Sequence, residues 1–142
     1  PHKSIGFTVF VLAVLRVGWR LANRNTPALP TGMPRWQVVS SHLSHYALYA
    51  LILIMPLSGW LMVTSSPLND PDAYIPVDNM VFGLFHMPDP YPRGSEALSE
   101  TFHIVHSLAG KLMALILVAH AGAALKHHFV DRDTVLRRMI TG

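Results

Sequence analysis

Two histidines stand out because they interrupt an otherwise apolar stretch of the chain. His106 and His120 are fourteen residues apart, and Lys111 is the one charged residue between them. Fourteen positions of an α-helix return to within about 40° of the starting direction and rise roughly 21 Å, so both imidazoles lie on one helix face. Ionisable side chains within membrane spans usually face the bundle interior and mark a functional site. The spacing predicts two stacked cofactors, one near each membrane face, with haem as the first cofactor to test.

A partner for His106 is found at the start of the chain. His2 begins the first apolar segment, and His106 lies near the start of the last one. Because these two helices are expected to run parallel, their imidazoles can reach the same depth and bind one haem iron from both sides. We predict that His2 and His106 are this metal-binding pair. The competing interpretation is that His2 is a terminal residue and His106 a hydrogen-bonded core histidine.

The sequence leaves the partner of His120 open. His120 lies about four turns deeper than His106, towards the opposite membrane face. His42 and His45 stand at that end of the second apolar segment, and counting helical rise places His45 within about one turn of His120. A ligand on a helix that precedes the present chain is the alternative. The spacing does not choose between the two.

Two further side chains extend the predicted cofactor sites. Arg16 is fourteen residues after His2, so it should share the face of His2 at the depth of His120, where a guanidinium can pair with a haem propionate. His127 follows His120 by seven residues on nearly the same face. A titratable donor beside an inner haem suits a ubiquinone site, because quinone reduction needs protons. The competing interpretation of His127 is an interfacial histidine that stabilises a helix C-terminus.

The elements that must position these residues are membrane-spanning helices. The chain has 142 residues, of which 51% are hydrophobic and 13% charged, too apolar for an ordinary soluble domain. We expect a single all-α membrane domain with three transmembrane helices, at about 2–22, 41–64 and 101–128, joined by a long outer loop at 65–100. An amphipathic piece at 80–85 is expected to lie on the membrane surface. The expected partner is the lipid bilayer, and nucleic acid is excluded.

The composition also restricts the cofactor. The chain contains no cysteine, which excludes disulfides, thiolate-held iron–sulfur clusters and covalent haem attachment. Any haem must therefore be of the b type, held by side-chain ligation and packing.

The distribution of charge predicts the orientation in the membrane. Basic residues in short loops usually remain on the cytoplasmic side. They lie between the first two spans and in the C-terminal tail: Arg20, Arg24, Arg35, Lys126, Arg132, Arg137 and Arg138. The connection from 64 to 102 is acidic, with Arg93 as its one basic residue among Asp70, Asp72, Asp78, Asp89, Glu96 and Glu100. We therefore expect this long loop to be outside.

Several motifs, in order along the chain, resemble the bacterial cytochrome b561 family. They are Ser41-His-Leu-Ser-His-Tyr, then Met55-Pro-Leu-Ser-Gly-Trp, and later His106 to His120 followed by Ala-Gly-Ala-Ala-Leu-Lys-His-His-Phe. The resemblance implies a four-helix haem-binding bundle of which this chain is a remnant lacking the first helix, because Pro1-His-Lys-Ser looks like the start of the family's second helix. It also implies that His2 and His106 bind the outer haem, and that His120 binds the inner haem, whose other ligand is on the missing helix. His45 is then expected to lie near the inner haem without ligating it.

The function implied by the resemblance is electron transfer across the bacterial inner membrane. Family members are di-haem b cytochromes that pass electrons between a periplasmic-side donor and ubiquinone, and one branch resembles superoxide oxidase, a superoxide:ubiquinone oxidoreductase. The acidic outer loop weakens the superoxide interpretation, since positive potential attracts an anion. One alternative is a haem-containing membrane anchor subunit for a dehydrogenase or hydrogenase. Another is a metal transporter that uses the H-x-x-H pairs His42/His45 and His103/His106.

Overall fold

Three long helices dominate the fold. The structure, a computed structural model, describes residues 1–23, 34–70, 72–74, 79–91 and 94–132. Helix α1 spans His2–Ala22, α2 spans Arg35–Thr64 and α3 spans Glu96–Lys126. Each is long and apolar enough to cross a membrane, so the expected all-α membrane fold is confirmed. Some charged residues of the orientation argument lie outside the described residues: Arg24, Asp78, Arg93, Arg137 and Arg138.

Helices α2 and α3 begin five to six residues earlier than the sequence predicted, at 35 and 96 rather than 41 and 101. Pro34 starts α2, because its fixed φ suits a helix N-terminus and its carbonyl accepts the amide hydrogen of Gln37 at 3.0 Å. Glu96 starts α3, where a carboxylate stabilises the positive end of the helix dipole. The addition to α3 is mostly polar, whereas the addition to α2 mixes polar residues with Trp36, Val38 and Val39.

The end of α3 changes its helical form. After Lys126 the chain continues as one π-helical turn, His127–Asp131, where the prediction had an α-helix to residue 128. The carboxylate of Asp131 accepts from Lys126 Nζ at 2.7 Å and lies 3.2 Å from His127 Nδ1. Such turns occur often at functional sites.

Helix α2 is the central helix and packs against both α1 and α3. It runs antiparallel to α3, since Ser44 meets His120 whereas Ser58, further along α2, meets His106. The buried positions of α1 are Ser4 and Ala13, and most of its remaining apolar surface faces outward. A surface of this kind suits hydrocarbon rather than water.

The connection between α2 and α3 contains a short β-hairpin at the place where an amphipathic surface segment, 80–85, was expected. Strand β1, Met80–Val81, pairs antiparallel with β2, Phe85–His86. The chain reverses through Phe82 and Gly83, whose φ angles are 50° and 72°, as tight hairpin turns require. Strands of two residues are too short to give a readable alternation of apolar and polar positions.

The hairpin region is tied to the ends of two helices. The backbone amide of Phe82 donates to the buried Ser4 hydroxyl of α1 at 2.9 Å. The indole of Trp60 on α2 donates to the carbonyl of Pro88 at 2.8 Å. The loop is therefore a folded cap on the end of the bundle at which α1 and α3 begin.

The start of α3 is fixed against the end of α2. The amide of Ser95 donates to the carbonyl of Ser65 at 2.8 Å. A Cβ atom on Gly94 would overlap the backbone of Ser66 and Pro67, so only glycine allows this approach. This junction sets the register in which side chains of α2 face those of α3.

Candidate cofactor sites

The structure brings His2 and His106 together at the capped end of the bundle. Their ring centroids are 6.2 Å apart and the ring planes are nearly perpendicular, at 86°. Two imidazoles on opposite sides of one metal ion, each with a metal–nitrogen bond of about 2 Å, have ring centres about 6 Å apart. The spacing of this pair, which we call the outer site, therefore fits axial coordination of one haem iron.

The ring of His106 is held in one orientation by α2. Its Nδ1 lies 2.8 Å from the carbonyl oxygen of Met55 and 3.3 Å from Ser58 Oγ. Because a carbonyl can only accept, Nδ1 must carry the hydrogen. The other ring nitrogen, Nε2, is then unprotonated and available to a metal.

Gly59 leaves the space that the ring of His106 occupies. A Cβ atom at this position would lie 2.9 Å from His106 Cε1 and 3.0 Å from Nδ1, closer than side chains pack. Met55, Ser58 and Gly59 were not predicted as site residues. The signal that could have found them is their position within the Met55-Pro-Leu-Ser-Gly-Trp motif, in the second half of an apolar helix.

A second pair of histidines lies deeper in the bundle, which we call the inner site. The ring centroids of His45 and His120 are 5.1 Å apart with planes at 65°. Ser44 Oγ lies 3.4 Å from His120 Nδ1, and Arg20 and His42 are close enough to act electrostatically on His45. The two rings are closer than two imidazoles on opposite sides of one metal ion would be. They pack edge to face.

The two remaining predicted site residues lie elsewhere. Arg16 is exposed on α1, and within the described part of the chain it makes no hydrogen bond or ion pair. The structure therefore does not bring it into contact with either histidine pair. His127 stands at the start of the π turn, its side chain 13% exposed and directed towards Asp131.

A cavity of about 390 Å³ lies at the capped end of the bundle, between the starts of α1 and α3 and the end of α2. It is lined by Lys3, Asn69, Asn79, Ser99, Glu100 and His103, together with apolar side chains at the end of α2. Lys3 Nζ donates to Asn79 Oδ1 at 2.8 Å, and His103 lies 3.7 Å from Glu100. The cavity is large enough for a small molecule, and two of its lining residues, Lys3 and His103, are close in sequence to His2 and His106.

The H-x-x-H pairs do not form a multi-ligand metal site in the described residues. No group of three or more histidine, aspartate or glutamate side chains converges there on a common point. His103 and His106 face different partners, since His103 approaches Glu100 and His106 donates to Met55.

Comparisons with known proteins identify the family of the chain. The chain is 31% identical to cytochrome b561 homolog 2 of Escherichia coli K12 over 141 residues, which are 98% of the chain and 68% of that protein. It is 28% identical to the probable superoxide oxidase CybB of Yersinia pestis over 142 residues, covering 98% of the chain and 72% of that protein. The model of the protein family described as prokaryotic cytochrome b561 matches residues 2–142. The chain thus belongs to the prokaryotic cytochrome b561 family, whose members are electron-transferring membrane proteins with b-type haem.

Proposed function

We propose that this protein carries electrons across the bacterial inner membrane, between a donor at the outer face and ubiquinone at the inner face. The observation that carries the proposal is the 6.2 Å spacing of His2 and His106 at one end of the bundle. The second histidine site, around His120, lies fourteen residues further along α3, or roughly 21 Å. Two one-electron sites at that separation suit transfer through a bilayer.

At the outer site, His2 and His106 are the residues that would hold a b-type haem. Such a haem supplies a one-electron couple, and imidazoles on both sides favour outer-sphere electron transfer over oxygen binding. His2 is contributed by α1 and His106 by α3, so the site depends on how the two helices are held against α2. The Met55 carbonyl orients the His106 ring, and Gly59 provides its space.

At the inner site, His120 is the proposed haem ligand. His45 lies beside His120 in this site and acts on it electrostatically. The short distance between the two rings suggests that His45 does not ligate the metal. Arg16 is the proposed partner of an inner haem propionate, for which its side chain is long enough and permanently charged.

Ubiquinone is proposed to bind near the π turn, where His127 can supply a proton as electrons arrive from the inner site. The carboxylate of Asp131, 3.2 Å from His127 Nδ1, stabilises the protonated imidazole and orients its other nitrogen. Lys126 shares the same carboxylate, which limits the negative charge facing a quinone oxygen.

The outer cavity is the proposed approach of the electron donor. The relative named as a probable superoxide oxidase makes superoxide the first donor to test. The Lys3 ammonium attracts an anion to the cavity, whereas Glu100 opposes it. Neutralising Glu100 should therefore accelerate reaction with superoxide, and neutralising Lys3 should slow it.

The proposal is tested by haem counting and by donor-driven quinone reduction. We expect two haems per chain in the purified protein, and loss of one in His106→Ala, while His86→Ala on the hairpin retains both. Unchanged haem content in His106→Ala would refute the outer assignment. If superoxide reduces no ubiquinone through the protein and a soluble redox enzyme co-purifies with it, the protein is a membrane anchor subunit instead.

A further inference from the structure

A pair of serines on α2 matches the pair of histidines on α3. Ser44 and Ser58 are fourteen residues apart, as are His106 and His120. Because the two helices are antiparallel, each serine faces one histidine: Ser58 Oγ lies 3.3 Å from His106 Nδ1, and Ser44 Oγ lies 3.4 Å from His120 Nδ1. The same contact is thus made twice, once at each site.

The hydrogen bonds within α2 determine the direction of both contacts. The Ser58 hydroxyl donates to the carbonyl of Met55, and the Ser44 hydroxyl donates to the carbonyl of Ser41, both at 2.9 Å. A hydroxyl has one hydrogen, so each serine oxygen can only accept from the imidazole that it faces. Both histidines must therefore carry their hydrogen on Nδ1 and leave Nε2 unprotonated.

We propose that Ser44 is a positioning residue that fixes the tautomer of His120 and so presents Nε2 to the cofactor, and that Ser58 supports the same tautomer of His106 beside the Met55 carbonyl. That the cofactor is haem rests on the proposed function, but the tautomer does not. Partners of this kind orient a ligating histidine and increase its basicity. The serines act through the histidines and do not touch the metal.

The two serines differ in importance because their surroundings differ. His106 also donates to the Met55 carbonyl at 2.8 Å, which fixes its tautomer without Ser58. Among the described residues, the Ser44 hydroxyl is the one hydrogen-bond partner of His120 Nδ1. Removing Ser44 should therefore disturb the inner site more than removing Ser58 disturbs the outer site.

The test compares Ser44→Ala and Ser58→Ala with a matched control. Ser40→Ala on the same helix removes a hydroxyl whose one hydrogen bond, among the residues that the structure describes, is to the carbonyl of Trp36. Ser44→Thr keeps a hydroxyl at the inner site. The ring nitrogens are assigned by ¹⁵N NMR in the haem-free full chain, and haem release from the loaded protein is measured by transfer to apomyoglobin.

In Ser44→Ala we expect His120 to lose its single tautomer and inner haem to be released about tenfold faster. Ser58→Ala should keep the His106 tautomer with a smaller change in release, and Ser44→Thr should restore wild-type behaviour. If the His120 tautomer in Ser44→Ala equals that in Ser40→Ala, the inference is wrong. If the tautomer changes but the wild-type chain binds no haem, the inference holds and the proposed function fails.

Discussion

The outer and inner histidine sites are built on the same two helices, fourteen residues apart. A step of fourteen along α3 leads from His106 to His120, and the opposite step along α2 leads from Ser58 to Ser44. In both sites the serine donates to the carbonyl three residues earlier and faces the histidine Nδ1. Helices α2 and α3 therefore provide two equivalent positions in which a serine of α2 lies against an imidazole of α3.

The two sites differ in what lies beside the ring of His106 or His120. At the outer site Gly59 leaves space, and the second imidazole, His2, comes from α1. The same step of fourteen replaces Gly59 by His45 and His2 by Arg16. The inner site therefore has its second imidazole on α2, next to His120, and a guanidinium on the corresponding position of α1.

This difference shows that the α2–α3 pair alone does not determine what each site binds. The serine lies against one imidazole in each site, and the residue one position after the serine differs between the two sites. Gly59 leaves space for the ring of His106 at the outer site, whereas His45 packs edge to face against His120 at the inner site. We expect substitutions at these two positions to affect one site and leave the other unchanged.

The largest effect is expected from Gly59→Ala, which removes the space at the outer site. The added methyl group would lie about 3 Å from the His106 ring, and overpacking of this kind costs about 1–3 kcal/mol. Displacing the ring should weaken outer haem binding by roughly 10- to 100-fold. Haem content and the reduced-minus-oxidised spectrum measure this loss.

Gly122→Ala is the matched control, because a Cβ atom at that position of α3 meets nothing within 4 Å. It should keep the wild-type haem content. Equal haem content in the two alanine variants would show that the close approach of Gly59 to His106 does not matter for the outer site.

A smaller effect is expected from His45→Ala at the inner site. If His45 lines the site without ligating, the variant keeps its haem, and inner haem affinity falls by less than about tenfold. His42→Ala, three residues earlier on α2, serves as the control. Loss of the inner haem in His45→Ala, as in His120→Ala, would show that His45 is a ligand of the haem. Both sites would then hold a haem between two histidines.

The sequence predicted the parts of this comparison that depend on helical spacing. The positions of His106 and His120 on one face, and the depth of His45, follow from the rise and turn of an α-helix. The three apolar spans follow from the length needed to cross a bilayer. Whether His2, His106 and His120 bind haem stays a prediction, since the evidence for these roles is geometric.

The contacts between elements could not be read from the sequence. Gly59 and Ser58 matter only because the junction at Gly94 sets the register of α2 against α3, and no local pattern specifies that register. Serine is a common residue in membrane helices. The role of Ser44 and Ser58 is visible only from their contacts with His120 and His106. The hairpin at 80–86 depends on its attachments to Ser4 and α2 rather than on its own residues.

The central claim, that His2 and His106 occupy both faces of one haem, is tested most directly by carbon monoxide binding to reduced His2→Ala. Removing one axial imidazole should open a coordination position, so the outer haem should bind carbon monoxide, and added imidazole should restore the wild-type spectrum. The wild-type protein should bind none. A His2→Ala variant that retains its haem, keeps the wild-type spectrum and does not react with carbon monoxide would contradict the account.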